Sequence, residues 1–255
     1  MHGELRVEFG PSGPGRRFQK SPLSLGRGIA LEDGSTLYMS RAIGAGIVQG
    51  DFLETECEIL PGAKVVLGTQ AATQVHRMDE GGSGAVHFSA RVHAGAVFSY
   101  LPHATIPFAD SDFSMRTVVD VAPGAFAAVG EILASGRTAR GEHHDYRNFK
   151  NNLEFQVDGV PVFREVTTGA GLRSYLGTGE KPVYAGLSVV CEQPTATLAA
   201  WRELGLDIGC STRGPVVWAR MLCSSIQEAG ELQLRLWDAA LQANELGTAP
   251  KLRHF

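Results

Sequence analysis

The stretch GRTARGEHHDY (136–146) carries the densest set of groups able to do chemistry: Arg137, Arg140, Glu142, His143, His144 and Asp145. Adjacent histidines on a strand point to opposite faces, so both ligate one metal only where the backbone bends. A cupin-type metal enzyme needs two histidines two residues apart, with a third histidine and a carboxylate elsewhere. None of the eight histidines stands two residues from another. A passage that binds a borderline divalent metal transiently needs less, because weak oxygen and nitrogen ligands suffice without a closed shell. His76, His87, His93 and His103 sit singly in or beside expected strands.

A second candidate is IGAGIVQGD (43–51). A dinucleotide loop needs G-x-G-x-x-G at the start of a helix, where phosphate meets the helix N-terminus. Gly44 and Gly46 fit that spacing, but position 49 is glutamine and a strand pattern follows. A Walker loop needs Gly-Lys-Ser/Thr, and here Gly50 is followed by Asp51. The stretch therefore reads as a tight glycine turn feeding a strand. The chain also lacks the G-x-S-x-G, H-E-x-x-H and C-x-x-C motifs. Arg77, Arg137 and Arg140 are free either to clamp carboxylates or to face water.

The elements that position these residues are mostly strands. Leu5, Val7 and Phe9 alternate with Glu4, Arg6 and Glu8, and FLETECEIL (52–60) alternates again, with Glu54, Glu56 and Glu58 outward. Further strands are expected over 63–70, 84–101, 113–124 and 152–165, with a hairpin turn at Asp158-Gly159. ILPGAKVVL (59–67), VHAGAVFSYL (92–101) and VAPGAFAAV (121–129) share one pattern, with Gly-Ala at the turn. Their glycines, Gly62, Gly95 and Gly124, recur about every thirty residues, the range of stacked supersecondary units. Two helices are expected. One covers 194–206, with Thr195 or Thr197 as N-cap. The other covers 224–247, with Ser225 and Glu228 as a capping box and Gly247 and Pro250 as the stop. Gly169–Pro182 reads as a glycine-rich connection. The fold class is mainly β, an elongated stack of sheets resembling a β-helix, with two helices in the C-terminal half. One domain is expected over 1–255, β-rich over 1–193 and mixed over 194–255.

Bulk properties bound the function. The chain has 255 residues and a net charge of −4, which leaves no basic excess for nucleic acid. No apolar run spans a membrane, no signal peptide is evident, and Cys57, Cys191, Cys210 and Cys223 form no metal-ribbon spacing. A cytoplasmic protein with reduced thiols is expected. Charged residues make up only 20% of the chain, consistent with faces covered by partners or with scattered apolar surface.

Four ordered blocks carry a resemblance: GAGIVQGD (44–51), LGTQAATQVHR (67–77), GAVFSYLPHATIPFADSDF (95–113) and GEILASGRTARGE (130–142). Together they resemble the urease accessory proteins of the UreD (UreH) family. Gly46, Gly50 and Asp51 match the first block, where Ala45 replaces one of two paired glycines. Thr69, Gln70, Thr73 and Arg77 match the second. Leu101 and Pro102 match the third, and Glu131, Gly136, Arg137, Gly141 and Glu142 match the fourth. His143 and His144 lie outside the motif.

The resemblance implies a non-catalytic scaffold of elongated β-rich fold. It implies a complex with a helical accessory protein (UreF) and a nickel-carrying GTPase (UreG) that docks on apo-urease. Nickel would then be cargo in transit, with no tightly bound cofactor. Asp51, Glu131, Glu142 and His143 are the residues expected to line or support its path, since oxygens release a metal more readily than thiolates. A cupin-type metal enzyme and a metal-independent β-solenoid binding module are the alternatives.

Overall fold

A computed structural model describes residues 1–176 and 181–252. In chain order the strands are β1 (His2–Gly10), β2 (Gly13–Lys20), β3 (Leu23–Leu25), β4 (Ile29–Ala30), β5 (Thr36–Ala42), β6 (Phe52–Ile59), β7 (Lys64–Gln70), β8 (Thr73–Val75) and β9 (Gly84–Val92). They continue with β10 (Val97–Tyr100), β11 (Thr105–Pro107), β12 (Asp112–Val121), β13 (Phe126–Ala134), β14 (Asn148–Val157), β15 (Val160–Thr168), β16 (Val183–Val190), β17 (Gly209–Arg213) and β18 (Val216–Cys223). The helices are α1 (Gly169–Leu176), α2 (Pro194–Glu203) and α3 (Ile226–Ala243).

The strands form two facing sheets. The first runs β15-β14-β12-β9-β6-β1-β2, and the second runs β17-β18-β16-β13-β10-β7-β5-β3. Within the first, β1, β6, β9, β12 and β14 are all parallel, and within the second so are β5, β7, β10 and β13. The chain therefore climbs as a solenoid. It crosses the first sheet, turns a corner, crosses the second and loops back.

The Gly-Ala repeat is that corner. Gly62, Gly95 and Gly124 have φ of +77°, +72° and +78°, where an L side chain is strained. A Cβ on Gly95 or Gly124 would meet nothing within 4 Å, so conformation and not crowding selects glycine there. Ala63, Ala96 and Ala125 are buried one above another, and the corners bond directly: Val97 N donates to Ala63 O at 2.9 Å and Phe126 N to Ala96 O at 3.0 Å.

Two cores result. The first lies between the sheets, with Leu5, Phe9, Leu67, Phe98, Phe113 and Phe155 fully buried. The second lies between the outer face of the second sheet and α2 and α3, around Trp201 and Trp237. Both indoles find acceptors, Leu236 O and Ser99 Oγ, each at 2.8 Å, as buried polar groups require. Strand β13 is covered on both faces and so reads FAAVGEILA, almost without alternation.

The structure adjusts several local expectations. Gly169–Leu176 forms α1 where a connection was expected, making three helices, and residues 177–180 lie outside the described residues. Helix α2 starts at Pro194 behind Gln193, which gives no side-chain cap; Thr197 is inside the helix, donating to Gln193 O at 2.9 Å. In α3, Ser225 Oγ caps Glu228 N at 3.0 Å, while the Glu228 carboxylate returns to Ser224 N at 2.7 Å. The helix ends at Ala243, short of Gly247. The Asp158-Gly159 hairpin forms, both residues having positive φ. Strand β2 goes unannounced because its residues are exposed and lack alternation.

Candidate functional site

Along β13 the even positions Ala128 and Ile132 face the helices, and the odd positions Val129 and Leu133 face the first sheet. Glu131 therefore points between the sheets. Its Oε2 accepts from Asn151 Nδ2 of β14 at 2.9 Å. Asn151 is 8% exposed, and its Oδ1 has no hydrogen-bond partner, a costly state for a buried acceptor.

Across the second sheet Glu131 is in register with Gly186 and Gly186 with Arg220. A Cβ at Gly186 would lie 2.7 Å from Arg220 Nη1, so the glycine makes room for the guanidinium. Arg220 reaches across to β15. Its Nε donates to Glu165 Oε1 at 2.8 Å, and its Nη2 pairs with the other carboxylate oxygen. Nη1 donates to Ala219 O at 2.6 Å and Nη2 to Ser188 Oγ at 3.0 Å. The Tyr184 hydroxyl faces Glu165 Oε1 at 3.5 Å, and burial together with the Glu131 charge pushes its ionisation far up.

Two carboxylates and one guanidinium, all partly buried, thus form a polar seam along the layer between the sheets. One end is a void of about 30 Å³ bordered by Pro102, His103, Glu131 and Asn151. The other is a cleft of about 510 Å³ bordered by Glu165, Lys181, Tyr184 and Arg220. Thr167 borders both.

The other expected path residues lie elsewhere. Asp51 is buried at the foot of β6, where it accepts from the Met1 amino group at 2.6 Å and from Val48 N at 2.9 Å. Glu142 holds Arg137 through both oxygens, with Nε to Oε2 at 2.9 Å, and accepts from Ala109 N at 3.3 Å. Its carboxyl is held below the usual range, chiefly by the Arg137 hydrogen bond. His143 is exposed, with Nδ1 3.4 Å from Ser135 Oγ. His144 is buried with φ +61° and turns to the Tyr146 hydroxyl at 2.9 Å, so the adjacent histidines take different partners. Among the described residues no three His, Cys, Asp or Glu side chains converge on a metal-sized site.

The remaining motif positions are structural joints. Thr69 Oγ1 accepts from His103 N at 2.9 Å and donates to Ala71 O at 3.3 Å, beside the exposed Gln70. Thr73 N donates to Ala104 O at 2.8 Å. Arg77 faces Asp110 at 3.4 Å from an 80% exposed position. A Cβ on Gly46, with φ +128°, would lie 2.3 Å from Gln74 O. Gly50 turns the chain before Asp51, Gly136 packs against the Glu142 carbonyl, and Gly141 closes the 3-10 turn Thr138–Arg140.

These joints stack into one face of the solenoid, the side where each coil loops back. Ile47 bridges Val75, β8 pairs with β11, and Thr105 is in register with Leu133. His76 Nε2 lies 2.8 Å from Ala45 O, its ring lies 4.9 Å from Phe108, and the Arg137 guanidinium covers Phe108 at 4.0 Å. Four blocks far apart in sequence are thus neighbours in space. The family model described as UreD urease accessory protein matches residues 1–254. The chain belongs to the UreD family.

Among its relatives, urease accessory protein UreD 2 of Streptomyces griseus is 41% identical over 228 residues, covering 82% of this chain and 77% of the relative. UreD of Herpetosiphon aurantiacus is 29% identical over 166 residues, covering 64% and 58% of the two chains. UreD of Acetivibrio thermocellus is 34% identical over 127 residues, covering 50% and 48%. Among the described residues of this UreD family member no helix is long and apolar enough to cross a membrane.

Sequence reasoning reached Glu131 through the family motif and missed Asn151, Glu165, Tyr184 and Arg220. The available signal was a lone arginine in the apolar strand VVWARMLC and a lone carboxylate in FAAVGEILA. A charge in such a run faces a core and needs a partner.

Proposed function

We propose that this chain is a non-catalytic urease maturation factor that docks on apo-urease with a UreF-type helical protein and a UreG-type GTPase, and that nickel passes through its polar seam. The observation that carries this reading is the Glu131 carboxylate between the sheets, beside the unpartnered Oδ1 of Asn151. With Glu165 and Arg220 the seam holds one surplus negative charge, which favours a cation. Its donors are carboxylate, amide and hydroxyl oxygens. Such donors bind a borderline divalent metal weakly enough to release it, as a passage requires and a thiolate cage does not allow. Asp51, Glu142 and His143 support the path indirectly in this reading, by holding the loops that frame the stacked face.

The test is Glu131→Gln in cells expressing the whole urease operon, with urease nickel content and complex assembly measured together. Nickel is expected to fall while the accessory complex and urease still co-purify. Full nickel loading in this variant would overturn the conduit, and lost assembly would reassign Glu131 to structure. Absence of any interaction with the helical accessory partner would remove the scaffold role as well.

A further inference from the structure

The seam places a guanidinium where it opens to the surface. Arg220 lies over Gly186, in register with Glu131 on one side, and it borders the open cleft on the other. Its Nε donates to Glu165 Oε1 at 2.8 Å and its Nη2 stands in ion contact with Oε2, so the guanidinium covers the carboxylate. Glu165 is therefore neutralised and unavailable as a ligand while the pair stands. The positive charge also repels a second cation in the cleft, which Thr167 shares with the void. Backbone carbonyls of Ala219 and Leu187 and the Ser188 hydroxyl hold the guanidinium in place, so the arrangement is built rather than incidental.

We infer that Arg220 is a charge plug: it withholds Glu165 from divalent cations and closes the seam between the interior void and the cleft. This rests on the proposal that a divalent metal travels the seam, and it assigns the point at which that travel is controlled. Opening requires the guanidinium to leave Glu165, whose carboxylate then joins the Glu131 end as a continuous line of oxygen donors. The Lys181–Asp207 ion pair at 2.8 Å stands at the cleft mouth, 46% and 93% exposed, where a docking partner would reach it first.

The experiment is calorimetric titration of Ni²⁺ into the purified chain and into Arg220→Gln and Arg220→Gln/Glu165→Gln variants, each checked for a cooperative melt. Freeing Glu165 is expected to tighten Ni²⁺ binding by at least about tenfold in the single variant. The double variant is expected to return to the parent's affinity. An unchanged single variant, or a gain that survives in the double, overturns the plug. Should Arg220→Gln fail to fold, Arg220→Lys keeps the charge while releasing one carboxylate oxygen. It is then expected to show a smaller gain, and no gain overturns the inference equally. Failure of the conduit would appear separately, as full urease nickel in Glu131→Gln, and would leave the Ni²⁺ affinities of the Arg220 variants as measured.

Discussion

The space between the two sheets is filled in two different ways. Toward the N-terminal coils it is aromatic and aliphatic: Phe9 packs on Tyr38 at 4.7 Å between ring centroids, and Phe88 stacks on Tyr100 at 3.8 Å. Toward the C-terminal coils the same layer keeps aromatic contacts such as Phe155–Phe163 and Phe163–Trp218, and adds Glu131, Asn151, Glu165, Tyr184 and Arg220. The backbone scaffold is continuous, since β9, β12 and β14 pair in register along one sheet and β10, β13 and β16 along the other. The difference therefore belongs to side chains alone. Apolar filling stabilises in proportion to buried area. A buried ion pair gains little over an apolar pair of similar volume, because desolvation offsets the attraction. The apolar filling of both ends accounts for stability, and the polar groups at the C-terminal end call for a different reason to persist.

The strongest way to break this contrast is Phe98→Ala in the apolar half. Phe98 is fully buried, and its truncation is expected to cost about 3–5 kcal/mol in denaturant unfolding. A loss under about 1 kcal/mol would mean that this half does not carry the fold. Next come the glycines of the two opposite corners. Gly46→Ala must displace the Gln74 carbonyl and is expected to lose clearly more stability than Gly124→Ala, which faces open space and costs about 1–2 kcal/mol from backbone strain alone. Equal losses would erase the distinction between repeat corner and signature corner.

In the polar half, Glu131→Gln keeps shape and hydrogen bonding, so its unfolding free energy should shift by less than about 1.5 kcal/mol. A shift as large as that of Phe98→Ala would make the seam a structural core like the other. The smallest effect expected is pH-dependent and lies outside both fillings. Burial, Arg173 and His143 hold His144 below its ordinary pKa, while Asp145 opposes them. The unfolded chain then binds a proton that the folded chain resists. The stability due to neutral His144 is complete above about pH 6.5 and declines as pH falls below it. The thermal midpoint of the parent should drop over that range more than that of His144→Gln, and parallel profiles would exclude the effect.

Much of the scaffold was legible because it rests on local rules. The period-2 alternation of β1 and β6 placed Leu5, Val7, Phe9, Leu53 and Ile59 inward, as found. The Gly-Ala repeat marked the corners because only glycine takes their backbone conformation readily. Helix α1 was hidden by its glycines, Gly169 and Gly171, which depress helix propensity but do not forbid a turn held by tertiary contacts such as buried Leu172. Strand β16 went unmarked because it is buried on both faces and shows no alternation. In the candidate site, Asp51 and Glu142 were conspicuous in sequence, and their carboxylates are occupied by Met1 and Arg137.

The sequence by itself determined the class of fold, the corner geometry and the four signature blocks, since each depends on neighbours within a few residues. Only the tertiary structure decided that those blocks share one face, and that Glu131, Asn151, Glu165 and Arg220 meet. Their meeting depends on strand order and register, on β13 facing β14 across the layer and on β16 lying between β13 and β18. No local preference encodes that order. It is set by how the whole chain excludes water from two sheets at once.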